Sequence, residues 1–170
     1  MINQVKYSLA VMLVILGTQS KAMEDCDLMG SLEADPLSVS APVAFADIKS
    51  QELIEACTAA INKQTADQAR FYLLRARGYL RAGYLEDSVN DITQAHEMGY
   101  AAATFAKATL FHFGEAVQAD LVQAALLYEQ AYENGVTWAA RALSILYDDL
   151  NFENYNPELA KEWRKKFAQP

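Results

Sequence analysis

Apolar residues recur every three or four positions along most of this chain, and no stretch alternates apolar and polar residues as a half-buried strand would. From residue 50 to 63, for example, Leu53, Ile54, Cys57 and Ile61 share one helical face. The same period predicts six further helices, at about 66–82, 85–98, 101–113, 119–133, 137–149 and 157–168. The pattern therefore predicts an all-α protein.

Signals for helix ends fall where this periodicity starts and stops. Ser50 is expected to cap the first of these helices, and Thr65 with Gln68 has the spacing of a capping box. Gly99 stands at a helix C-terminus, where a glycine readily adopts the left-handed conformation. Asn156, followed by a proline and a glutamate, combines a cap with a favourable first turn.

The stretch from Gly99 to Gly135 repeats itself after 36 residues. A period of this length is typical of stacked helix-turn-helix arrays, and small alanines allow two helices to approach closely. Asp120 and Asn156, both candidate caps, also coincide. The identical pairs are Gly99 and Gly135, Ala103 and Ala139, Ala106 and Ala142, Leu110 and Leu146, and Ala124 and Ala160.

This unit resembles a Sel1-like repeat, whose pattern is roughly A, then L-G-x-x-Y, a Gly, an Asp, and A-x-x-W-Y-x-x-A-A-x-x-G. The first copy matches through Ala103, Ala108, Phe111, Gly114, Asp120, Ala124, Leu127, Tyr128, Ala131, Tyr132 and Gly135. A second copy matches through Ala139, Ser144, Tyr147, Asn156, Ala160, Trp163, Phe167 and Ala168, but its internal loop lacks the glycines.

The preceding helix pair resembles a tetratricopeptide repeat. It matches through Tyr72, Ala76, Tyr79, Gly83, Ser88, Ile92 and Ala95, and departs at Arg75, where a leucine is usual. The helix at 50–63 is similar to the second helix of exported tetratricopeptide-type proteins. These resemblances imply an α-solenoid of antiparallel helix pairs in a right-handed superhelix. Its parts are a cap helix at 50–63, a tetratricopeptide-like repeat at 66–99, and Sel1-like repeats at 100–135 and 136–168.

Residues 1–22 have the composition of a secretory signal peptide. Lys6 precedes an apolar run from Leu9 to Leu16 that is too short to span a bilayer, and Ser20-Lys21-Ala22 has small residues where signal peptidase reads them. We expect cleavage after Ala22 and a periplasmic or secreted protein without stable membrane insertion. The alternative is an uncleaved anchor.

The charge of the chain limits the classes of partner. The net charge is −8, and loss of Lys6 and Lys21 with the signal peptide takes 14 basic residues to 12, against 22 acidic ones. A negative protein repels nucleic acid and anionic lipid, so neither is expected as a partner.

Residues 23–49 carry Asp-Pro and Ala-Pro turn signals and predict an extended N-terminal arm. We expect Val43, Phe45 and Ile48 to hold this arm against the body. Because export leads to an oxidising compartment, Cys26 and Cys57 are expected to form a disulfide. The alternative is a free Cys57 buried on its helix.

Catalysis has little support in the sequence, and no catalytic residue, metal site or cofactor is predicted. His96 and His112 lie in different helices without the spacing of a metal or nucleophile motif. The neighbouring carboxylates Asp148 and Asp149 point in different directions from a helix.

In tetratricopeptide-like arrays the first helix of each pair lines the concave surface, and this resemblance implies the binding residues. We call them the groove: Arg70, Leu73, Arg77, Phe105, Thr109, Trp138 and Arg141. Arginines beside aromatic residues suit a protein or peptide partner with an acidic group and an apolar anchor. The alternative is that the aromatic residues pack between helices and the arginines pair with nearby acids.

Three functions remain open at this point. The resemblance implies an exported scaffold or adaptor that acts through protein–protein interaction. The second candidate is a secreted effector or inhibitory protein that binds a host or rival target, and the third is a hydrolase.

Overall fold

The computed structural model describes residues 21–169, and its regular structure is helical throughout that range. Helix α1 covers residues 21–30, and a short 3-10 helix follows at Phe45–Asp47. The predicted signal peptide, residues 1–22, lies outside the described residues except for its last two positions. The remaining helices are α2 (Ser50–Ile61), α3 (Gln68–Ala82), α4 (Leu85–Glu97), α5 (Ala101–Phe113), α6 (Leu121–Glu133), α7 (Trp138–Leu146) and α8 (Pro157–Ala168).

From α2 onward, each helix packs against the helices that precede and follow it in sequence, and α3 also contacts α5. The buried residues form three apolar clusters along the chain. One joins α1 to α2 and α3, one joins α3, α4 and α5, and the largest joins α5 to α8. This arrangement confirms the predicted α-solenoid of antiparallel helix pairs.

The 36-residue period is visible in the backbone hydrogen bonds. Gly99 and Gly135 both have positive φ angles, +80° and +93°, and each donates its N–H to a carbonyl three residues earlier, at 2.9 Å. Asp120 N–H donates to Phe111 O at 2.9 Å, and Asn156 N–H donates to Tyr147 O at 2.8 Å. The two sequence copies therefore build their turns in the same way.

The predicted helix ends are partly correct. The side chains of Asp120 and Asn156 each accept a hydrogen bond from a first-turn N–H, at 2.8 and 3.1 Å. Ser50, in contrast, is the first residue of α2, and no side chain caps that helix. The capping box is also wrong, because the side-chain amide of Gln68 donates to Ile61 O, and Thr65 has no side-chain partner within residues 21–169.

The loop between α7 and α8 replaces the missing glycines with side-chain contacts. Helix α7 ends at Leu146, three residues earlier than predicted. The Asp149 carboxylate then accepts the N–H of Asn151 at 2.9 Å, and Phe152 is buried. A turn closed by the Asp149 side chain and the buried ring of Phe152 thus fix the loop between the two helices.

The N-terminal arm, residues 23–49, is not extended throughout, because α1 occupies residues 21–30. The arm is joined to α2 by the disulfide Cys26–Cys57, with Cα atoms 4.8 Å apart. Ile48 is buried and Val43 packs against the same apolar cluster as expected, whereas Phe45 is 45% exposed.

Arg75, where the sequence departs from the repeat pattern, forms an ion pair inside the array. Its Nε and Nη2 donate to the Asp91 carboxylate at 2.7 and 2.9 Å, and Nη1 donates to Thr58 at 3.1 Å. The pair joins α3 to α4.

Among the described helices, none is both long and apolar enough to cross a membrane.

Candidate partner-binding surface

The seven groove residues lie on α3, α5 and α7, the first helices of the three pairs. The structure divides them into two parts with different surroundings. We call Arg70, Leu73 and Arg77 of α3 the proximal half. The distal cleft is the depression between α5 and α7 that contains Phe105, Thr109, Trp138 and Arg141.

The proximal half is covered by the N-terminal arm. Arg70 Nε and Nη2 donate to the two carboxylate oxygens of Asp27 at 2.8 and 3.1 Å, and Arg70 Nη1 donates to Asp67 at 3.0 Å. Only 12% of the Arg70 side chain and 9% of the Asp27 side chain are exposed. Leu73 is buried as well. Arg70 therefore pairs with acids of the chain, as the alternative interpretation expected, while Leu73 and Arg77 line a smaller cavity beside the arm.

Arg77 binds backbone carbonyls of the same arm. Its guanidinium donates to Gly30 O, to Ser31 O at 2.8 Å and to Val43 O at 2.9 Å. Burial lowers the pKa of Arg77 to about 10, so the side chain stays protonated at neutral pH. The glycine at position 30 lets the backbone of α1 approach α2 and α3 closely, because a Cβ there would lie 2.8 Å from a Leu53 side-chain atom and 2.9 Å from a Leu74 side-chain atom.

The distal cleft, in contrast, is open. It has a volume of about 230 Å³ and an almost entirely apolar surface. Two large apolar side chains at its rim are strongly exposed, Phe113 at 67% and Ile145 at 56%. The lining consists of Phe105, Thr109, His112, Phe113, Tyr128, Trp138, Arg141, Ala142 and Ile145.

Arg141 is the cation of the distal cleft. Its guanidinium carbon lies 5.1 Å from the centroid of the Trp138 ring and 5.9 Å from that of Phe167, a cation–π arrangement. Within residues 21–169, Arg141 makes no ion pair with a carboxylate. Its charge is thus available to an incoming group.

His112 lines the distal cleft between Phe113 and Tyr128. Its Nδ1 lies 3.2 Å from the Tyr128 hydroxyl, and its ring stacks on Phe113 with the centroids 4.4 Å apart. Burial lowers the pKa of His112, which favours the uncharged ring at neutral pH. His112 therefore adds no charge to the distal cleft at neutral pH, and Arg141 is the charged residue of its lining.

A second, smaller cavity of about 150 Å³ continues from the distal cleft toward the arm. The two cavities share Phe105 and Thr109, and the second is closed on one side by Leu32 and Phe45 of the arm. Glu115 lies at its edge. The two cavities are therefore adjacent, and residues of the arm border the second one.

The seven predicted groove residues leave out five residues of this lining: His112, Phe113, Tyr128, Ala142 and Ile145. Phe113 is the last residue of α5, beyond the repeat positions used for the prediction, and Tyr128 reaches the distal cleft from α6, the second helix of its pair. The sequence shows at this end of α5 only that Phe113 follows His112 at a predicted helix end, which does not indicate that its side chain is exposed.

The two histidines do not form a catalytic arrangement. His96 Nδ1 lies 2.9 Å from the Thr104 hydroxyl, and His112 contacts a tyrosine hydroxyl. In the part of the chain that the structure covers, no three His, Cys, Asp or Glu side chains come together as metal ligands would. The carboxylate of Asp148, a further candidate for catalysis, is exposed, and its Oδ2 lies 3.4 Å from Nη2 of Arg164.

A solved structure is similar to this chain, that of a Sel1 repeat protein from Oxalobacter formigenes. The TM-score is 0.57 and the sequence identity is 19%, over 69% of this chain and 49% of that chain. This chain thus spans about half the length of that protein. No family model matches the sequence, and no curated protein matches it significantly. The likeness is one of architecture: the chain is a helical-repeat protein with the α-solenoid fold of a Sel1 repeat protein.

Proposed function

We propose that this chain is an exported scaffold or adaptor that binds a protein or peptide partner in the distal cleft. The observation that carries the proposal is an open, apolar depression of about 230 Å³ with Phe113 and Ile145 exposed at its rim. Large apolar side chains at the surface of a folded protein mark interaction sites when they are contiguous with a concave region.

The chemistry of the distal cleft suggests the features of its ligand. An aromatic or aliphatic anchor would fill the apolar depression, and burying such a side chain contributes about 1.5–3 kcal/mol. A carboxylate beside the anchor would pair with Arg141, which aromatic rings hold in place. The partner is therefore a peptide segment with an apolar anchor and an acidic group. Export is supported by the signal-like sequence of residues 1–22 and by the disulfide.

Site-specific photo-crosslinking tests this proposal. A photoreactive amino acid replaces Ile145 in the distal cleft, and in a matched variant it replaces Leu126, which is equally exposed at 57% but lies outside the distal cleft. Both variants are expressed in the native host, irradiated and analysed by mass spectrometry.

We expect a specific protein adduct at position 145 that is absent at position 126. Charge reversal by Arg141→Glu in the position-145 variant should decrease the adduct. Identical adducts at the two positions, or none at position 145, would show that the distal cleft is not the binding surface.

A further inference from the structure

The loop between α7 and α8, residues 147–156, holds an apolar side chain at the surface. Leu150 is 80% exposed, the highest value of any large apolar side chain in the part of the chain that the structure describes. Phe152 is buried, and the Asp149 carboxylate accepts hydrogen bonds from the N–H and the side-chain amide of Asn151, both at 2.9 Å. Contacts on both sides of Leu150 thus fix the loop, and they leave this leucine without an apolar environment of its own.

Two carboxylates directly precede this leucine. Asp149 is used within the loop, as described above. Asp148 is exposed, and the ion pair that it makes within residues 21–169 is a solvent-exposed one with Arg164, at 3.4 Å. Because exposed pairs of this kind contribute little to stability, Asp148 can exchange Arg164 for another cation at small cost. The loop therefore combines an apolar anchor with an acidic group, the two features expected of the ligand of the distal cleft.

The loop lies beside the distal cleft of its own chain. It departs from the C-terminal end of α7, where Ile145 lines the distal cleft. Burial lowers the pKa of His112, another lining residue, and the carboxylate of Asp149 acts on it in the opposite direction, which requires the loop to be near. Leu150 does not fill this cleft itself, because both it and Phe113 at the rim are strongly exposed. Each chain thus carries an unfilled apolar cleft next to an unburied apolar anchor.

We propose that the partner of the distal cleft is a second copy of this chain, which inserts its α7–α8 loop. This inference rests on the proposed function, since it names the partner of the same site. Leu150 of one copy fills the apolar depression beside Phe113 and Ile145 of the other, and Asp148 pairs with Arg141. Two copies related by a two-fold axis make this contact twice, because the loop and the distal cleft are neighbours on each chain.

Charge limits the strength of this dimer. Arg141 makes no ion pair with a carboxylate within residues 21–169, so a carboxylate of the second copy has no competitor to displace there. Each chain nevertheless has a net charge of −8, and two copies repel each other at long range. The apolar contact of Leu150 must supply most of the affinity, and we expect a reversible dimer.

Sedimentation velocity of the purified, disulfide-intact chain, from micromolar to millimolar concentration, measures this association. Leu150→Gln should raise the dissociation constant of the dimer at least about tenfold, because burial of a leucine side chain is lost at two symmetric contacts. The matched control is Leu126→Gln, which changes an exposed leucine outside the distal cleft and should alter the dissociation constant less than about twofold. Both leucines are exposed, so neither substitution removes a core contact.

Exchange of charges between two chains tests the pairing itself. Arg141→Asp and Asp148→Arg should each weaken the dimer, because each places like charges together. An equimolar mixture of the two variants should associate at least about fivefold more tightly than either variant alone. In the mixed dimer one contact is the native one, and the other contains the same pair with its charges exchanged.

Each remaining outcome decides against the inference. A chain that is still monomeric at millimolar concentration does not use its own loop as the ligand. If the photoreactive residue at position 145 then crosslinks a different protein, the proposed function stands with another partner, and if it crosslinks nothing, both proposals are wrong. A dimer that Leu150→Gln and Leu126→Gln weaken equally, or a mixture that associates no better than its components, has its interface elsewhere.

Discussion

Replacing Arg75 with methionine should destabilise the chain strongly, because it leaves a buried carboxylate without its partner. The Arg75 and Asp91 side chains are only 16% and 9% exposed, and they share two hydrogen bonds of 2.7 and 2.9 Å. The ring centroids of Tyr72 and Tyr79 lie 5.4 and 5.5 Å from the guanidinium carbon of Arg75, so the two rings cover part of the guanidinium. Methionine fills much of the same volume but supplies no donor.

The expected loss in the free energy of unfolding is about 3 kcal/mol, the lower end of the range for breaking a buried ion pair, since both groups retain some solvent contact. Part of the loss comes from Thr58, whose hydroxyl also receives a hydrogen bond from Arg75. The remainder is the cost of an unpaired charge at Asp91, and burial already raises the pKa of that carboxyl.

Urea denaturation at pH 7, followed by circular dichroism, measures this loss. The double variant Arg75→Met, Asp91→Leu should recover to within about 1 kcal/mol of the parent, because both charges are gone. As a matched control, Lys161→Met breaks an exposed pair with Glu158 and should leave the unfolding midpoint unchanged. If Arg75→Met costs no more than this control, or the double variant is no more stable than the single one, the reasoning is wrong.

Three other predictions follow from single contacts. Replacing both Cys26 and Cys57 with serine should lower the free energy of unfolding by about 3–4 kcal/mol for a loop of 31 residues, measured by urea denaturation; an unchanged midpoint would contradict it. Asp120→Ala removes the cap on Gln123 N–H and should cost about 1 kcal/mol in the same assay, whereas Asp120→Asn should cost less. Because burial lowers the pKa of His112, its NMR titration midpoint in the folded chain should lie below 6.5. As the pH falls, His112 of the unfolded chain therefore binds a proton at a higher pH than His112 of the folded chain does. The free energy of unfolding should consequently decrease below pH 6.5, and less steeply in His112→Gln; equal slopes would contradict this.

The repeat architecture could be predicted because its signals are local. The left-handed conformation at Gly99 and at Gly135, and the caps at Asp120 and Asn156, each depend on residues within about one turn in sequence, and the structure places them as expected. The disulfide could be predicted from the number of cysteines and the signal-like N-terminus.

The state of the groove could not be predicted in the same way. The repeat pattern indicates which side chains of α3, α5 and α7 face the concave side, but it does not indicate what covers them. Arg70 and Arg77 are covered by a segment more than 30 residues earlier in the chain. Turn signals after residue 34 led to the prediction that the whole arm is extended. Its first part is instead a helix, residues 21–30, which tertiary contacts such as that of Asp27 with Arg70 stabilise.

The most direct test of this account is the affinity of the crosslinked partner, measured by titration calorimetry for two matched variants. Ile145→Glu places a charge in the distal cleft, and Leu126→Glu places the same charge at an equally exposed position outside it. We predict that Ile145→Glu weakens binding at least about tenfold, because it removes an apolar contact and buries a charge, while Leu126→Glu changes the affinity less than about twofold. Equal effects of the two substitutions would contradict the assignment of the distal cleft as the binding surface.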